Sequence, residues 1–202
     1  MGTSGTNHPT FKLKLSPMNP ILLDFPDHFE SERLLLRCPR VGDGAMINAA
    51  IVESFAELTQ WMPWAKTLPT VEDTEEFVRR AQANFLKRET LPLIVLNKID
   101  ASFVGLSGLH DVNWDVPKFE IGYWLRTECS GKGYMTETVN AITQFCFETL
   151  KARRVQIQMD DRNKRSWRVA ERCGFTLEGI LHNEALGMNG ELRNTRIYAK
   201  VQ

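Results

Sequence analysis

The sequence has few of the residues that build metal sites and disulfide frameworks. Its 202 residues include only four cysteines and four histidines, and no two cysteines form a C-x-x-C pair. His110 and His182 have no metal-ligand companions at a useful spacing, so both are interpreted as structural or incidental. We therefore expect no metal site and no disulfide framework, and we expect the reduced thiols of a cytoplasmic protein.

The sequence also lacks a net charge and a long apolar segment. Lysine plus arginine and aspartate plus glutamate each number 25, so the formal net charge is +0 and no overall positive field exists to hold a polyanion. Pro17, Pro20, Asp24 and Pro26 interrupt the apolar run 21–23, and no segment reaches the length of a membrane span. The expected partners therefore include neither nucleic acid nor a membrane.

The composition that is present, with 43% hydrophobic and 25% charged residues, is typical of one globular domain. Gly, Ser, Thr, Asn and Pro are frequent in residues 1–28, which we interpret as a flexible N-terminal extension before a domain over residues 29–202. Apolar periodicity predicts an α/β fold with the element order β-α-α-β-β-β-α-β-α-β-β. The predicted strands lie near residues 33–37, 93–96, 102–109, 118–125, 155–159, 177–185 and 192–201, and the predicted helices begin after Asp43, after Thr70, at Met135 and at Ser166.

A glycine-containing turn stands where the predicted strand 118–125 gives way to the helix that begins at Met135. The turn reads Ser130-Gly131-Lys132-Gly133-Tyr134. Unpaired backbone amides and the positive end of a helix dipole meet at such a turn, and glycine lets an anion approach the backbone closely. The turn is therefore predicted to bind a phosphate group.

Three phosphate-binding patterns can be compared with this turn. A Walker A loop requires serine or threonine after its Gly-Lys pair, but Gly133 stands there. A dinucleotide fingerprint that starts at Gly131 requires a third small residue at Thr136 and a preceding parallel strand, whereas the preceding strand belongs to a predicted antiparallel meander. The remaining pattern, Q/R-x-x-G-x-G/A, matches residues 128–133 at both glycines and departs only at Glu128.

This last pattern is the coenzyme A turn of the Gcn5-related N-acetyltransferases, the GNAT superfamily. Further blocks at residues 31–37, 120–125, 131–137, 163–166 and 173–179 resemble its branch of RimJ/RimL-type ribosomal-protein N-terminal acetyltransferases. The resemblance implies a GNAT fold, with a mixed, mostly antiparallel central sheet of about seven strands, splayed middle strands and about four flanking helices. It also implies transfer of acetyl from acetyl-CoA to a primary amine by direct attack in a ternary complex.

The same resemblance implies which residues bind the cofactor. The amides of the turn bind the pyrophosphate, with an added charge from Lys132, and the residues concerned are Ser130, Gly131, Lys132, Gly133 and Tyr134. Backbone groups of Leu125 and Arg126 contact the pantetheine and the thioester oxygen. Asn163 hydrogen-bonds the cofactor, although it also suits the N-cap of the following helix. Glu128 would be repelled by a pyrophosphate unless its side chain points away.

Three residues are candidates for proton transfer. The resemblance places Ser166 near the cofactor sulfur, where a hydroxyl could protonate the departing thiolate. Glu120 and Glu184 are alternative general bases for the acceptor amine, and each also suits a solvated strand position. Neutralising an α-amine of pKa about 7.7 to 8.0 at pH 7 costs about 1 kcal/mol, whereas a lysine of pKa about 10.4 costs roughly 4.6 kcal/mol. An N-terminal amine therefore needs only a weak base.

The identity of the acceptor is open at this point, since a protein N-terminus and a small-molecule amine both fit. Trp61 and Trp64 lie in the loop that overhangs the acceptor site of this fold, where they either line the site or pack in the core. The last two strands offer edges for a homodimer. Cys129, beside the turn, is the thiol to check for a covalent route. The alternative from another functional class is a CoA-binding sensor or scaffold without catalytic activity.

Overall fold

The structure is a computed structural model that describes residues 19–202. In this range the chain forms four α-helices, namely α1 (Gly44–Leu58), α2 (Val71–Lys87), α3 (Tyr134–Glu148) and α4 (Lys164–Arg172). Its eight strands are β1 (His28–Glu30), β2 (Leu34–Arg37), β3 (Leu91–Asn97), β4 (Phe103–Asn113), β5 (Lys118–Leu125), β6 (Arg154–Asp160), β7 (Thr176–Leu186) and β8 (Leu192–Val201). The predicted α/β element order is confirmed, with β1 as an additional strand.

All eight strands form one mixed sheet in the order β1-β2-β3-β4-β5-β6-β8-β7. Neighbouring strands are antiparallel except β5 and β6, which run parallel. This pair is in register only where Lys118–Glu120 faces Arg154–Gln156, so the two strands diverge beyond Glu120. The predicted splay of the middle strands is thereby confirmed, and a gap opens beside residues 121–125.

Backbone groups of β5 point into this gap. In an antiparallel pair, the amide and carbonyl of alternate residues face the partner strand. The Arg126 amide donates to the Val104 carbonyl at 3.0 Å, so the alternation directs the backbone groups of Ile121, Tyr123 and Leu125 away from β4. Within the described part of the chain no strand pairs with these three residues on the β6 side. Their backbone groups are therefore open to a ligand.

Two hydrophobic clusters cover the two faces of the sheet. Because successive strand residues point to opposite faces, Ile94 and Leu96 belong to one cluster, while Leu93 and Val95 belong to the other. Helix α1 lies on the first face and α3 on the second, each with its apolar side chains buried. None of the helices in residues 19–202 is both long and apolar enough to cross a membrane.

The first two helices begin where the sequence predicts, but by different means. Helix α2 starts with a capping box, in which Thr70 Oγ1 accepts from the Asp73 amide at 3.0 Å and Asp73 accepts from the Thr70 amide at 2.9 Å. Asp43 precedes α1 but makes no capping bond; its carboxylate pairs with Arg37 at 2.7 Å. Only 11% and 12% of these two side chains are exposed, so this nearly buried ion pair ties β2 to α1.

The two edges of the sheet concern two predictions from the sequence, the N-terminal boundary of the domain and the homodimer. Strand β1, with three residues, is too short to show an alternating pattern, and it begins at His28, the last residue of the predicted extension. Residues 1–18 lie outside the described residues, so the domain boundary stays a prediction. Strand β8 is hydrogen-bonded on both sides, to β6 and β7, so of the last two strands only β7 has an open edge within residues 19–202; the homodimer stays a prediction.

Candidate active site

The glycine turn has the geometry of an anion cradle. Gly131 and Gly133 adopt φ angles of +76° and +80°, in the left-handed region that glycine enters without steric cost. The backbone amides of residues 131–136 have no hydrogen-bond acceptor in the described part of the chain. These residues lie just before the 15-residue helix α3 and in its first turn, where the helix dipole adds positive potential. The turn therefore presents unpaired donors to a negatively charged group.

A network around Glu137 holds the turn in place. The Glu137 carboxylate accepts from Ser31 Oγ at 2.7 Å and from the amide and Nε of Arg33 at 2.8 and 2.7 Å. Arg33 then donates through Nη1 to the Lys132 carbonyl at 3.1 Å. Burial raises the pKa of Glu137, but the bonds from Ser31 and Arg33 outweigh this effect and keep it below its ordinary value. The start of β2 is thus tied to the middle of the turn.

The atypical residue of the motif, Glu128, points away from the cradle. Its carboxylate lies 3.1 Å from Arg126 Nη2, and 69% of its side chain is exposed. Arg126 also pairs with Glu53 on α1, and the Glu128 amide donates to Glu53 at 3.2 Å. The negative charge of Glu128 is therefore paired with a cation outside the turn, and its side chain does not line the cleft above the turn.

The backbone groups of Leu125 and Arg126, both predicted to contact the cofactor, have different surroundings in the structure. The Arg126 amide donates to Val104, and its carbonyl accepts from the Cys129 amide at 2.9 Å. The Arg126 amide and carbonyl are thus both engaged within the chain, and the expected contact of its backbone groups with the cofactor stays a prediction. Leu125, by contrast, directs its backbone into the sheet gap, and its side chain lines the cleft above the turn.

A cleft of about 700 Å³ opens over the turn, and we call it the glycine-turn cleft. Of the predicted cofactor residues it brings together Leu125, Ser130, Gly131, Gly133 and Tyr134. Lys132 is exposed and does not line the cleft. The opposite wall is α4, which contributes Arg165, Arg168 and Arg172. These arginines were not predicted from the sequence, although Arg168 and Arg172 stand four residues apart on the predicted helix and Arg165 directly precedes it.

A second cleft of about 410 Å³ lies in the gap between β5 and β6, and we call it the sheet-gap cleft. It brings together the predicted residues Trp61, Glu120, Asn163, Ser166 and Glu184, which stand up to 123 positions apart in the sequence. Trp64 does not line this cleft; its ring lies 6.2 Å from the ring of Trp124, and 48% of the residue is exposed. The assignment of Trp64 to the acceptor site stays a prediction.

Ser166 stands at the start of α4 and contacts a tyrosine that the sequence analysis did not single out. Asn163 caps the helix by accepting from the Ser166 amide at 3.1 Å, which confirms the N-cap interpretation. The Tyr123 hydroxyl lies 3.0 Å from Ser166 Oγ and donates to the Ser166 carbonyl at 3.1 Å. Burial raises the pKa of Tyr123 to about 12, so this hydroxyl keeps its proton at neutral pH.

The two candidate bases have different surroundings within the sheet-gap cleft. Glu120 is 12% exposed, and its Oε2 accepts from the side-chain amides of Gln156 and Gln158, each at 2.8 Å. Glu184 is exposed and accepts from Thr195 Oγ1 at 2.7 Å. Neither carboxylate has an arginine or lysine within ion-pair distance in residues 19–202, so both keep an oxygen atom able to take a proton.

His110, interpreted from the sequence as structural or incidental, also lines the sheet-gap cleft. Its Nε2 lies 3.8 Å from Glu120 Oε1, and half of its side chain is exposed. A Cβ atom at Gly122 would come within 2.7 Å of His110 Nε2, so glycine there makes room for the imidazole. The β4–β5 pairing that places His110 opposite Glu120 cannot be seen from their sequence spacing.

Cys129 is poorly suited to carry an acyl group. The residue is only 8% exposed, and burial raises the pKa of its thiol above the ordinary value. A thiol with a raised pKa is protonated at neutral pH, whereas the nucleophile of a covalent route is the thiolate. The geometry therefore favours direct transfer over an acyl-cysteine intermediate.

Comparisons with known proteins point to one family. A family model described as the acetyltransferase (GNAT) domain matches residues 33–176. The putative ribosomal N-acetyltransferase YdaF of Bacillus subtilis is 29% identical over 164 residues, which cover 79% of this chain and 86% of YdaF. The ribosomal-protein-serine acetyltransferase of Escherichia coli is 27% identical over 71% of this chain and 79% of its own length.

A solved structure shares the fold. The microcin C7 self immunity acetyltransferase MccE, in complex with acetyl-CoA and AMP, superposes with a TM-score of 0.82 at 24% sequence identity. The match covers 88% of this chain and 98% of MccE. The eight-stranded sheet and its four helices therefore have an experimentally determined counterpart.

Proposed function

The chain belongs to the GNAT acetyltransferase family and is an N-acetyltransferase that uses acetyl-CoA, and from this premise we propose that its acceptor is the α-amine of a protein N-terminus. The resemblance to the RimJ/RimL branch is confirmed by relatives that are named ribosomal-protein acetyltransferases. The observation that carries the proposal is the pair of clefts, one at the glycine turn and one in the sheet gap, which both border β5, at Leu125 and at residues 120–123.

The glycine-turn cleft is proposed to hold the donor. The amides of residues 131–136 bind the pyrophosphate, as free amides at a helix N-terminus do for many anions. The pantetheine arm runs from the turn along Leu125 and pairs with the backbone groups that β5 directs into the sheet gap. This course brings the thioester to the sheet-gap cleft, where Asn163 and Ser166 lie.

The sheet-gap cleft is proposed to hold the acceptor amine. Glu120 and Glu184 both line it, and either receives the proton that the amine loses on attack. The wall formed by Trp61, Met62 and Pro63 is apolar and suits the first side chain of an extended peptide. An α-amine is the acceptor that this site neutralises most readily, because its pKa of about 7.7 to 8.0 lies near neutrality.

After the amine attacks, the C–S bond of the tetrahedral intermediate breaks and the CoA thiolate needs a proton. We propose that the Ser166 hydroxyl supplies this proton and recovers one from water in the sheet-gap cleft, which balances the proton that Glu120 or Glu184 takes from the amine. Tyr123 acts as a positioning residue, because its hydroxyl donates a hydrogen bond to the Ser166 carbonyl and its oxygen can accept one from Ser166 Oγ. Tyr123 thus holds the serine in one rotamer until the thiolate departs.

This assignment predicts that Ser166→Ala lowers kcat by about 100-fold or more and leaves the Kd for CoA within about twofold, because general acid catalysis acts on the transition state. Tyr123→Phe should lower kcat in the same direction but add no further loss in the Ser166→Ala background. Stopped-flow thiol release and calorimetric CoA titration give the two quantities.

The matched control is Tyr198→Phe, which deletes the hydroxyl of another buried tyrosine, one that donates to Glu171 outside the sheet-gap cleft. It should keep the wild-type kcat. A Ser166→Ala enzyme with unchanged turnover would rule out the serine as the acid, and additive losses from the two substitutions would rule out the positioning role of Tyr123.

A further inference from the structure

We propose that Arg165, Arg168 and Arg172 form a second phosphate subsite in the glycine-turn cleft, and that this subsite binds the 3′-phosphate of coenzyme A. The inference rests on the proposed donor. It predicts in addition that the chain binds coenzyme A more tightly than 3′-dephospho-CoA. It concerns the α4 wall of the cleft, opposite the amides of the turn.

The first observation is that these three cations lack carboxylate partners. Nine other arginines in residues 19–202 form an ion pair with an aspartate or a glutamate. Arg165, Arg168 and Arg172 form none with the described residues, although all three are exposed and line one cleft. Unpaired guanidinium groups on one wall of a cleft leave a positive potential that an anionic ligand neutralises.

The second observation is the placement of this wall. Spacings of three and four residues put the arginines on one face of α4, and the face is turned to the start of α3. Arg172 Nε donates to Thr136 Oγ1 at 3.2 Å, so the end of α4 reaches the first turn of α3. The arginines therefore stand across the cleft from the amides, within reach of the same ligand but at a different point on it.

The charges of the ligand call for this second group of donors. A helix N-terminus supplies the equivalent of about half a positive charge, so the amides of the turn offset only part of the negative charge that the pyrophosphate of CoA carries. The 3′-phosphate of CoA is a monoester, and such a group carries about 1.5 to 2 negative charges at pH 7. A guanidinium fork matches the geometry of phosphate oxygens and cannot lose its proton. Three such groups fit the additional phosphate better than they fit the nucleoside itself.

The test compares the Kd values of CoA and 3′-dephospho-CoA by calorimetry, with the full chain and with the Arg165→Ala/Arg168→Ala variant, which retains the Arg172 bond to Thr136. The wild-type chain should bind CoA at least about tenfold more tightly than 3′-dephospho-CoA, which corresponds to about 1.4 kcal/mol. In the variant the CoA affinity should fall to that of 3′-dephospho-CoA, whose own affinity stays unchanged.

The control is Arg79→Ala/Arg80→Ala, which removes two exposed arginines of α2 outside both clefts and should keep the full discrimination. Raising the salt concentration should reduce the wild-type preference, because exposed charges are screened. Equal wild-type affinities for the two ligands, or an equal loss of both in the variant, would overturn the proposal. A wild-type chain that binds neither ligand would instead contradict the proposed donor.

Discussion

The Glu120→Gln/Glu184→Gln variant is expected to turn over an N-terminal peptide amine about 100-fold or more slowly than the wild type at pH 7, because general base catalysis typically contributes at least this factor. Both carboxylates line the sheet-gap cleft and neither is held by an arginine or lysine in the described residues, so each is able to accept a proton. Glutamine keeps the size and the hydrogen bonding of each side chain while it removes the basic oxygen.

The loss should depend on pH in a defined direction. At pH 7 an amine of pKa about 7.7 to 8.0 is mostly charged and needs a base, whereas at pH 9 it is mostly neutral. The deficit of the variant should therefore shrink by about tenfold between pH 7 and pH 9, as the solvent takes over the removal of the proton. The pH dependence of kcat/KM for both enzymes measures this recovery.

Single substitutions identify which carboxylate acts, since the one that serves as base should reproduce most of the loss. Glu178→Gln is the matched control, because Glu178 lies on the same strand as Glu184 but outside the sheet-gap cleft, where it pairs with Arg154. It should retain the wild-type rate. A double variant that is as fast as the wild type at every pH would exclude both residues as the base.

The second large effect is expected at the glycine turn. In the Gly131→Ala/Gly133→Ala variant, each alanine would have to adopt a left-handed φ, which costs about 1 to 2 kcal/mol per residue. The turn can avoid this cost only by rotating its peptide planes, and the amides of residues 131–136 then no longer converge. We expect CoA to bind about 30-fold more weakly or worse, as two such penalties correspond to that factor or more.

A matched control separates the cost of backbone strain from the loss of the binding site. Gly42 also has a positive φ, of +97°, and a Cβ atom there would meet no neighbour within 4 Å, but it lies in the loop before α1. Gly42→Ala should lower the thermal stability in the same way and leave CoA binding intact. Equal CoA affinities in the wild type and the double variant would exclude the turn as the pyrophosphate site.

Sequence patterns predicted those parts of the fold and the site that depend on local chemistry. Strands 118–125 and 192–201 were bounded as the structure has them, because turn residues flank alternating or apolar runs. The glycine turn was predicted because its positive φ angles are adopted by two glycines that can be recognised in the sequence itself. The capping role of Asn163 was predicted because this residue precedes a helical pattern. Strand β1 was missed because three residues carry no readable period.

The parts that escaped prediction depend on which strands and helices become neighbours. The position of His110 opposite Glu120 follows from the β4–β5 register, and the contact between Tyr123 and Ser166 joins β5 to α4. Neither neighbour relation is encoded in a short stretch of sequence. Asp43 was expected as a cap, but Arg37 on a neighbouring element binds its carboxylate. Likewise, the Arg126 amide donates its hydrogen bond to the Val104 carbonyl on β4, a contact that the sequence does not reveal. The cytoplasmic location and the homodimer stay predictions.

The most direct test of the central claim is a thiol-release assay with acetyl-CoA and peptides that carry a free N-terminal amine, with the same peptides blocked at the N-terminus as controls. An N-acetyltransferase with an N-terminal acceptor should release one thiol per acetylated peptide, with the acetyl group on the α-amine by mass spectrometry and no release with the blocked peptides. A chain that binds acetyl-CoA but releases no thiol with any primary amine would instead be a CoA-binding sensor or scaffold.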